Sequence, residues 1–241
     1  MTGSAAKIGG LKTTKSGKFQ GEARMAALRR RKPLILFWTD QSNKSRSLFM
    51  ARHKEFDRDT ALHAAIGVFS EHGYEGTSTG ELLTAMKISR QSMYDTFGDK
   101  RGLYLEALKR YNVESIDKII ADLRRENRPI EALEGALVAF ASRPAAEARR
   151  GCLGVSAICE FGRTDAEIAA LTDSAGHALH AAIESLLAEA RRTGDLATDI
   201  DIADAIPFLG AALSGMKVSA RNGVPPETLR GIAHMAIRSL R

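Results

Sequence analysis

Hydrophobic positions recur every three or four residues from Asp57 onward, which is the spacing of an amphipathic α-helix. The first such pattern stops at Gly73, and glycine commonly ends a helix because it adopts the left-handed conformation at low cost. The pattern therefore predicts a first helix over about residues 57–72. Its apolar positions are Ala61, Leu62, Ala65, Ile66 and Phe69.

Two short helices are predicted directly after the first. Ser78 is followed three positions later by Glu81, which is the spacing of a capping box and predicts a helix over about residues 79–86. Ser89 has the side chain to cap a third helix that runs through Phe97. Because only a few residues join the second and third helices, the three form a predicted helix-turn-helix arrangement.

The third helix has one apolar face and one polar face. Met93 and Phe97 are four positions apart, so both can lie on its inner face. Arginine and glutamine hydrogen-bond base edges in a major groove, and tyrosine and threonine hydroxyls suit phosphates. The same residue types also suit an ordinary solvated helix, so spacing alone leaves both interpretations open. The residues left for the outer face and its flanks are Arg90, Gln91, Tyr94 and Thr96.

Helical patterns continue to the end of the chain and no strand pattern appears, which predicts an all-α fold. Asp99 stands directly before the next helix, which begins near Lys100, and has the side chain to cap it. The further predicted helices cover about residues 100–124, 129–141 and 152–161, followed by a long helix that Asp165 caps and Gly194 ends.

The last pattern that we interpret is a stripe of large apolar residues spaced four and three apart, as in a coiled-coil seam. Together with the long helix before it and a symmetry mate, this stripe would form a four-helix dimer interface. Burial inside the core of one chain is the alternative for the same positions. The stripe consists of Ile202, Ile206, Leu209, Leu213 and Met216.

Composition limits the class of protein. The 241 residues, 44% hydrophobic and 27% charged, suit one large or two small domains. No apolar run approaches the roughly 18 residues of a membrane span, so we expect no membrane partner. Two cysteines, Cys152 and Cys159, are too few for a disulfide framework and lack the partners of a zinc site, which favours a cytoplasmic location and no metal or other cofactor.

The net charge of +6 is distributed very unevenly along the chain. Residues 1–54 hold 13 Lys and Arg against two acidic residues, a charge of +11, whereas the remainder holds 22 against 27, a charge of −5. Any DNA contact in the globular part must therefore come from local geometry, because overall electrostatic attraction is absent there.

Residues 1–49 show no apolar period and are predicted to be a disordered basic leader. Three explanations compete, namely a basic arm that clasps DNA, a targeting peptide, and translation from upstream of the true start. Met50 is followed at once by a clean helical pattern, which favours the third explanation. The predicted domains after the leader are a helix-turn-helix domain at 55–101 and a larger helical domain for ligand binding and dimerisation at 102–241.

The segment "FSEHGYEGTSTGELLTAMKISRQSMYDTFGDKRGLYLEAL", residues 69–108, resembles the DNA-binding domain of the tetracycline-repressor (TetR/AcrR) family of bacterial regulators. Two positions depart from the family pattern, since Thr96 stands where the family often has His and Gly80 where it often has a charged residue. The matching positions are Phe69, Gly73, Tyr74, Thr77, Ser78, Leu82, Leu83, Ser89, Met93, Tyr94, Phe97 and Lys100.

The resemblance implies roles for individual residues. Ser78 and Thr79 would open the supporting helix near a phosphate, Arg90 and Gln91 would lead the recognition helix, and Tyr94 and Lys100 would hold the DNA backbone. The expected DNA-binding residues are Ser78, Thr79, Arg90, Gln91, Ser92, Tyr94, Thr96 and Lys100.

The resemblance also implies a function. We expect a homodimeric transcriptional repressor that a small-molecule effector releases from double-stranded operator DNA, with coupling through the helix that begins at Lys100. An activator would use the same DNA contacts. The alternative from a different class is an all-helical redox or enzymatic protein that uses Cys152, although no catalytic constellation is visible in the sequence.

The helices between residues 100 and 161 are left to enclose an effector pocket. Cys152 follows two arginines near the start of a helix, which would favour its thiolate, whereas a buried, inert cysteine is the alternative. Each of the aromatic and aliphatic candidates is also a plausible core residue. The candidate lining residues are Tyr104, Leu108, Tyr111, Phe140, Cys152, Ser156 and Phe161.

Overall fold

The structure is a computed structural model that describes residues 56–241, and within this range the chain forms ten helices and no strand. The predicted all-α fold is thereby confirmed, while the predicted leader, residues 1–49, lies outside the described residues. The helices are α1 Arg58–His72, α2 Thr79–Met86, α3 Arg90–Phe97, α4 Lys100–Leu123, α5 Pro129–Ala141, α6 Ala145–Arg149, α7 Leu153–Phe161, α8 Ala166–Thr193, α9 Ile202–Arg221 and α10 Pro226–Arg238.

Capping residues determine where the first four helices begin, and those of α2, α3 and α4 were predicted from the sequence. The Asp57 carboxylate accepts from the backbone N–H groups of the first turn of α1, and Ser78 and Glu81 form the predicted capping box of α2. At α3, Ser89 Oγ accepts from the Ser92 backbone N–H at 3.0 Å. At α4, the Asp99 carboxylate accepts from a backbone N–H of the first turn in the same way. Such caps satisfy backbone donors that have no partner within the helix.

Two helices were not predicted from the sequence. Helix α6 has only five residues and buries none of its side chains, so its sequence carries no apolar period. Helix α10 follows Pro225 and starts with Pro226 at its first position, a common helix start. Its inner face, with Leu229, Ala233 and Ile237 buried, packs against α5 and closes one side of the domain.

The described helices enclose two hydrophobic cores. The first core lies among α1, α2, α3 and the first half of α4, and Leu153 and Ala157 of α7 and Ile168 of α8 complete it. The second core lies among the end of α4 and helices α5, α8, α9 and α10. Helix α4, with 24 residues and a length of about 36 Å, therefore runs from the helix-turn-helix into the second core.

The predicted boundary between residues 101 and 102 falls inside α4. Leu103, Tyr104 and Leu108 lie beyond this boundary, yet they are fully buried in the core of the helix-turn-helix. The two predicted domains consequently share a continuous helix and a packed interface.

Among the helices between residues 56 and 241, none combines the length and the apolar composition that a membrane span requires.

The predicted dimer seam on α9 is wrong for its last three residues. Leu209, Leu213 and Met216 are 3%, 6% and 0% exposed, because this face of α9 packs into the second core of its own chain. The alternative of burial within one chain therefore applies to them. The outward face of α9 carries a different set, Phe208, Ala211, Gly215 and Val218.

Candidate DNA-binding surface

The turn between α2 and α3 is built around a lysine in an unusual backbone conformation. Lys87 has φ 56° and ψ 41°, and no other non-glycine residue in the described range has a positive φ. The left-handed region costs an L-residue roughly 1–2 kcal/mol, so the tight turn is made at the expense of local stability. The Lys87 side chain is exposed beside α3.

Helix α3 presents the predicted polar face to solvent. Met93 is fully buried and Phe97 is 7% exposed, so these two residues anchor the helix on the first core as predicted. Arg90, Gln91 and Tyr94 are exposed on the opposite side. Tyr94 is 43% exposed, which is unusual for a large aromatic residue and leaves its ring free to contact a partner.

The predicted hydroxyl residues are divided between capping and exposure. Ser78 Oγ accepts from the Glu81 backbone N–H at 3.2 Å, and Ser89 Oγ and Ser92 Oγ lie 2.9 Å apart. Thr79 and Thr96 are half-buried at the edges of the exposed face. The serine hydroxyls thus shape the starts of α2 and α3.

Sequence reasoning missed one residue on the outer face of α3. Asp95 is exposed there, and its Oδ1 accepts a hydrogen bond from Gln91 Nε2 at 2.7 Å. The four-residue spacing of a glutamine and an aspartate on a helix was the available signal.

Lys100 does not extend freely into solvent. Its Nζ lies 4.3 Å above the centre of the Tyr74 ring, which joins the start of α4 to the turn between α1 and α2. The Tyr74 ring also packs edge-on against Tyr104, with centroids 4.9 Å apart. Burial raises the pKa of Tyr74 and of Tyr104, and the buried Tyr104 hydroxyl has no hydrogen-bond partner among the described residues.

Charge on the helix-turn-helix is weak and local. Residues 56–101 contain five Lys and Arg against seven acidic residues. Arg58 pairs with Glu106, and Arg101 pairs with Asp165. Over residues 56–241 no salt bridge engages Lys87 or Arg90, which are both exposed near the start of α3. Because acidic residues outnumber basic ones over residues 56–101, the region as a whole has no long-range attraction for DNA.

Three polar contacts hold the helix-turn-helix against the second half of the chain. Glu160 at the end of α7 accepts from the backbone N–H groups of Tyr74 and Glu75, at 2.9 and 3.2 Å. Gly73 lies beneath this carboxylate with φ 74°, and a Cβ there would overlap Glu160. The other contacts come from side chains on α4 and α9.

Arg221, the last residue of α9, donates to the Glu71 carbonyl at 2.8 Å, at the carboxy-terminal end of α1. Arg101 donates to Asp165 at 2.6 Å and so ties the start of α4 to the start of α8. This hydrogen bond is the main reason why the pKa of Asp165 lies below its ordinary value of 3.8. Side chains of α7 and α9 and the residue that caps α8 therefore contact α1, the turn after it and the start of α4 directly.

The seven candidate pocket residues are not brought into one cavity. Tyr111, Phe140 and Cys152 line a cavity of about 20 Å³, which has room for one water. Tyr104, Leu108 and Phe161 belong to the first core instead, and Ser156 faces Arg221.

A second small space, which we name the apolar crevice, lies between α4, α5, α8 and α9 and encloses about 30 Å³. None of the residues that line it was among the seven candidates predicted from the sequence. The residues that line the apolar crevice are Ile119, Leu123, Leu133, Ala136, Leu137, Leu179, Ile183, Leu209 and Leu213.

Cys152 and Cys159 do not form a disulfide with each other, and they differ in exposure. Cys152 directly precedes α7 and is 8% exposed, whereas Cys159 lies exposed on α7. Cys152 makes no side-chain cap for α7. In the part of the chain that the structure describes, no group of three or more His, Cys, Asp or Glu residues is placed to hold a metal ion.

Two family profiles match most of the described chain. The profile described as "Bacterial regulatory proteins, tetR family" matches residues 61–107, which include α2, α3 and the start of α4. The profile described as "Tetracyclin repressor-like, C-terminal domain" matches residues 128–232.

Individual proteins are similar over different lengths. The transcriptional repressor ComR of Escherichia coli (strain K12) is 30% identical over 189 residues, 78% of this chain and 90% of ComR. The uncharacterized regulator YezE of Bacillus subtilis (strain 168) is 58% identical, but over 62 residues, so the chain spans about a third (32%) of YezE. A cysteine mutant of the regulator CifR, solved with 26-bp operator DNA, is 31% identical with a TM-score of 0.67, over 77% of this chain and 97% of CifR.

Proposed function

This chain belongs to the tetR family of bacterial regulatory proteins, and on that premise we propose that it is a DNA-binding transcriptional repressor released from its operator by a small molecule. The observation that carries the proposal is the outer face of α3. Arg90, Gln91 and Tyr94 are exposed together there, while Met93 and Phe97 fix the helix from behind.

In the proposed complex, α3 lies in the major groove and the start of α2 faces the DNA backbone. Side chains near the amino terminus of a recognition helix contact base edges, which assigns that role to Arg90 and Gln91. Tyr94, Ser78 and Lys87 would contact phosphates. The similar CifR mutant forms a complex with double-stranded operator DNA, which supports a DNA partner for this chain.

We propose that two copies associate through the outward faces of α8 and α9. On α9 this face holds Phe208, Ala211, Gly215 and Val218, of which Phe208 and Val218 are 44% and 54% exposed. The outward face of α8 carries a row of exposed alanine and serine residues, which allows helices to approach closely. A symmetric four-helix contact would bury both faces, and it would place the two recognition helices on one side of the dimer.

The effector proposal rests on the size of the apolar crevice. Pockets for small molecules usually hold about 300–1,000 Å³, roughly ten to thirty times the 30 Å³ available between the helices. An effector that enters the crevice must therefore push its four helices apart, and we propose that α4 moves away from α8 and α9. Because α4 begins at the DNA-binding surface, and Glu160 and Arg221 connect α7 and α9 to α1, this displacement would change the spacing of the recognition helices.

A redox or enzymatic role for Cys152 is not favoured. ComR is named a transcriptional repressor and CifR a transcriptional regulator, and Cys152 is almost fully buried. We place the protein in the cytoplasm, where bacterial operator DNA is found. A reporter assay in which the chain is expressed beside its selected operator distinguishes repression from activation.

The proposed function is tested by selecting DNA from a random pool with the full-length chain. We expect one enriched, two-fold symmetric sequence, because a symmetric dimer presents two copies of α3. Arg90→Ala should weaken binding to that sequence by about 1–3 kcal/mol and relax one base preference. Arg110→Ala on α4, an exposed arginine paired with Glu114, is the matched control and should bind normally. Failure of the chain to enrich any sequence would contradict the proposal.

A further inference from the structure

An acidic side chain on the face of α3 that meets DNA needs a physical reason. Asp95 is exposed on this face, and phosphates repel a carboxylate there. Within residues 56–241 no lysine, arginine or histidine forms a salt bridge with it. Its one side-chain hydrogen bond in that range comes from Gln91 Nε2, at 2.7 Å.

This hydrogen bond determines which way the Gln91 amide points. An ionised carboxylate only accepts hydrogen bonds, whereas a glutamine amide has a donor end and an acceptor end. The NH₂ group of Gln91 must therefore face Asp95, and the reversed orientation would place the Gln91 carbonyl oxygen against a negative charge. One amide hydrogen is used in this contact. The other hydrogen and the Oε1 oxygen remain for a base.

A donor and an acceptor side by side match one purine in the major groove. Adenine presents an acceptor, N7, beside a donor, the N6 amino group, whereas guanine presents two acceptors, N7 and O6. A glutamine whose oxygen is held outward meets the adenine amino group favourably and the guanine O6 unfavourably. A glutamine that is free to turn can offer its NH₂ group to guanine instead.

We propose that Asp95 is a positioning residue that holds the Gln91 amide in the orientation that accepts adenine and rejects guanine. The inference rests on the proposed function, since it requires α3 to lie in the major groove. It adds a specificity determinant that acts through Gln91 and does not itself touch a base. The acidic charge on the DNA-facing surface then lowers affinity for DNA in general while it sharpens the choice of base.

The test is DNA selection followed by gel-shift titration with five forms of the full-length chain, namely wild type, Asp95→Asn, Asp95→Glu, Gln91→Ala and the double variant Gln91→Ala with Asp95→Asn. The base pair whose preference is lost in Gln91→Ala identifies the contact. Asparagine can accept from or donate to Gln91, so Asp95→Asn permits both amide orientations, whereas glutamate still only accepts. Thermal melting confirms that each form is folded.

We expect Asp95→Asn to reduce adenine-over-guanine discrimination at that base pair by at least fivefold, within the roughly 5- to 150-fold that one bidentate contact is worth. Asp95→Glu should retain the preference. In the Gln91→Ala background, Asp95→Asn should change base preference no further, because its effect passes through Gln91.

Three results would overturn the inference. One is an unchanged adenine preference in Asp95→Asn. Another is a change at a different base pair that persists in the Gln91→Ala background, which would mean that Asp95 reads a base, such as cytosine, directly. The third is a change in melting temperature alone, which would make the contact a helix-stabilising pair only. If wild type itself selects no sequence, the proposed function fails and the inference that rests on it fails as well, whereas the three results above overturn the inference alone.

Discussion

Replacing Gly215 by glutamine separates the proposed dimer interface from the fold of one chain. Gly215 is exposed on α9, and a Cβ added there meets no atom within 4 Å apart from the neighbouring backbone of its own helix. A glycine inside a helix costs about 0.5–1 kcal/mol relative to alanine, so a residue with better helix propensity should stabilise the isolated chain by a similar amount. The substitution is therefore expected to help the fold.

The same change is expected to disrupt association. In a symmetric four-helix contact the glutamine side chain occupies space that the partner's helix needs, and overpacking costs about 1–3 kcal/mol per site. A two-fold interface contains the site twice, so the dimer loses about 2–6 kcal/mol, or roughly 30- to 20,000-fold in its dissociation constant. Gly215→Gln thus has effects of opposite sign on folding and on dimerisation.

Sedimentation and thermal melting over nanomolar to micromolar concentrations measure both effects. Gly231→Gln is the matched control, because Gly231 lies exposed on α10 with the same open space around its Cβ. It should raise stability and leave the dimer unchanged. A Gly215→Gln chain that dimerises as tightly as wild type would refute the assignment of this face. Leu213→Ala cannot serve as the test, since Leu213 lies in the second core and its truncation should cost the fold about 2–5 kcal/mol.

Three further changes probe the DNA-binding surface and its connections. Lys87→Gly should raise the free energy of unfolding by about 1 kcal/mol, because glycine adopts the left-handed backbone conformation without the steric cost that lysine has. The same change should weaken operator binding in gel shifts. A lower free energy of unfolding would contradict this reasoning. The pKa of the Asp165 carboxyl is lower in the folded chain than its unfolded value of 3.8, so the ionised carboxylate stabilises the fold above that value and this contribution is lost as pH falls through the folded pKa. Asp165→Asn should therefore reduce the loss of unfolding free energy on acidification below about pH 4, measured by denaturant titration. An unchanged dependence on pH would count against this role. Glu160→Ala should speed hydrogen exchange at the Tyr74 and Glu75 amides and leave exchange at the centre of α1 unchanged. Exchange rates at Tyr74 and Glu75 equal to those of wild type would exclude the proposed link.

Local signals predicted the helix-turn-helix because its geometry depends on neighbours in sequence. Ser78, Ser89 and Asp99 cap helices through hydrogen bonds that span three residues, so their effect can be read from a short segment. The inner position of Met93 and Phe97 follows from one helical turn. The Gln91–Asp95 contact also lay within one turn, and its spacing was visible in the sequence even though the sequence did not say that the two side chains would meet.

The pocket residues could not be assigned from the sequence in the same way. An apolar residue on a helix predicts burial but not the partner it is buried against. Tyr104 and Phe140 both stand among apolar residues at helical spacing. Tyr104 nevertheless packs against α1 and α7, whereas Phe140 packs against the helices of the second core.

The sequence by itself determined the all-α fold, the positions of the capped helices and the polar face of α3, because these depend on backbone hydrogen bonds and on a period of 3.6 residues. Only the tertiary structure decided which face of α9 turns inward. That helix has apolar residues on two sides, with Leu213 on one and Val218 on the other, and its sequence left open whether the Leu213 side meets the core of its own chain or a second copy. The choice is made by α4, α5 and α8, which bury the Leu213 side and leave the Val218 side to solvent.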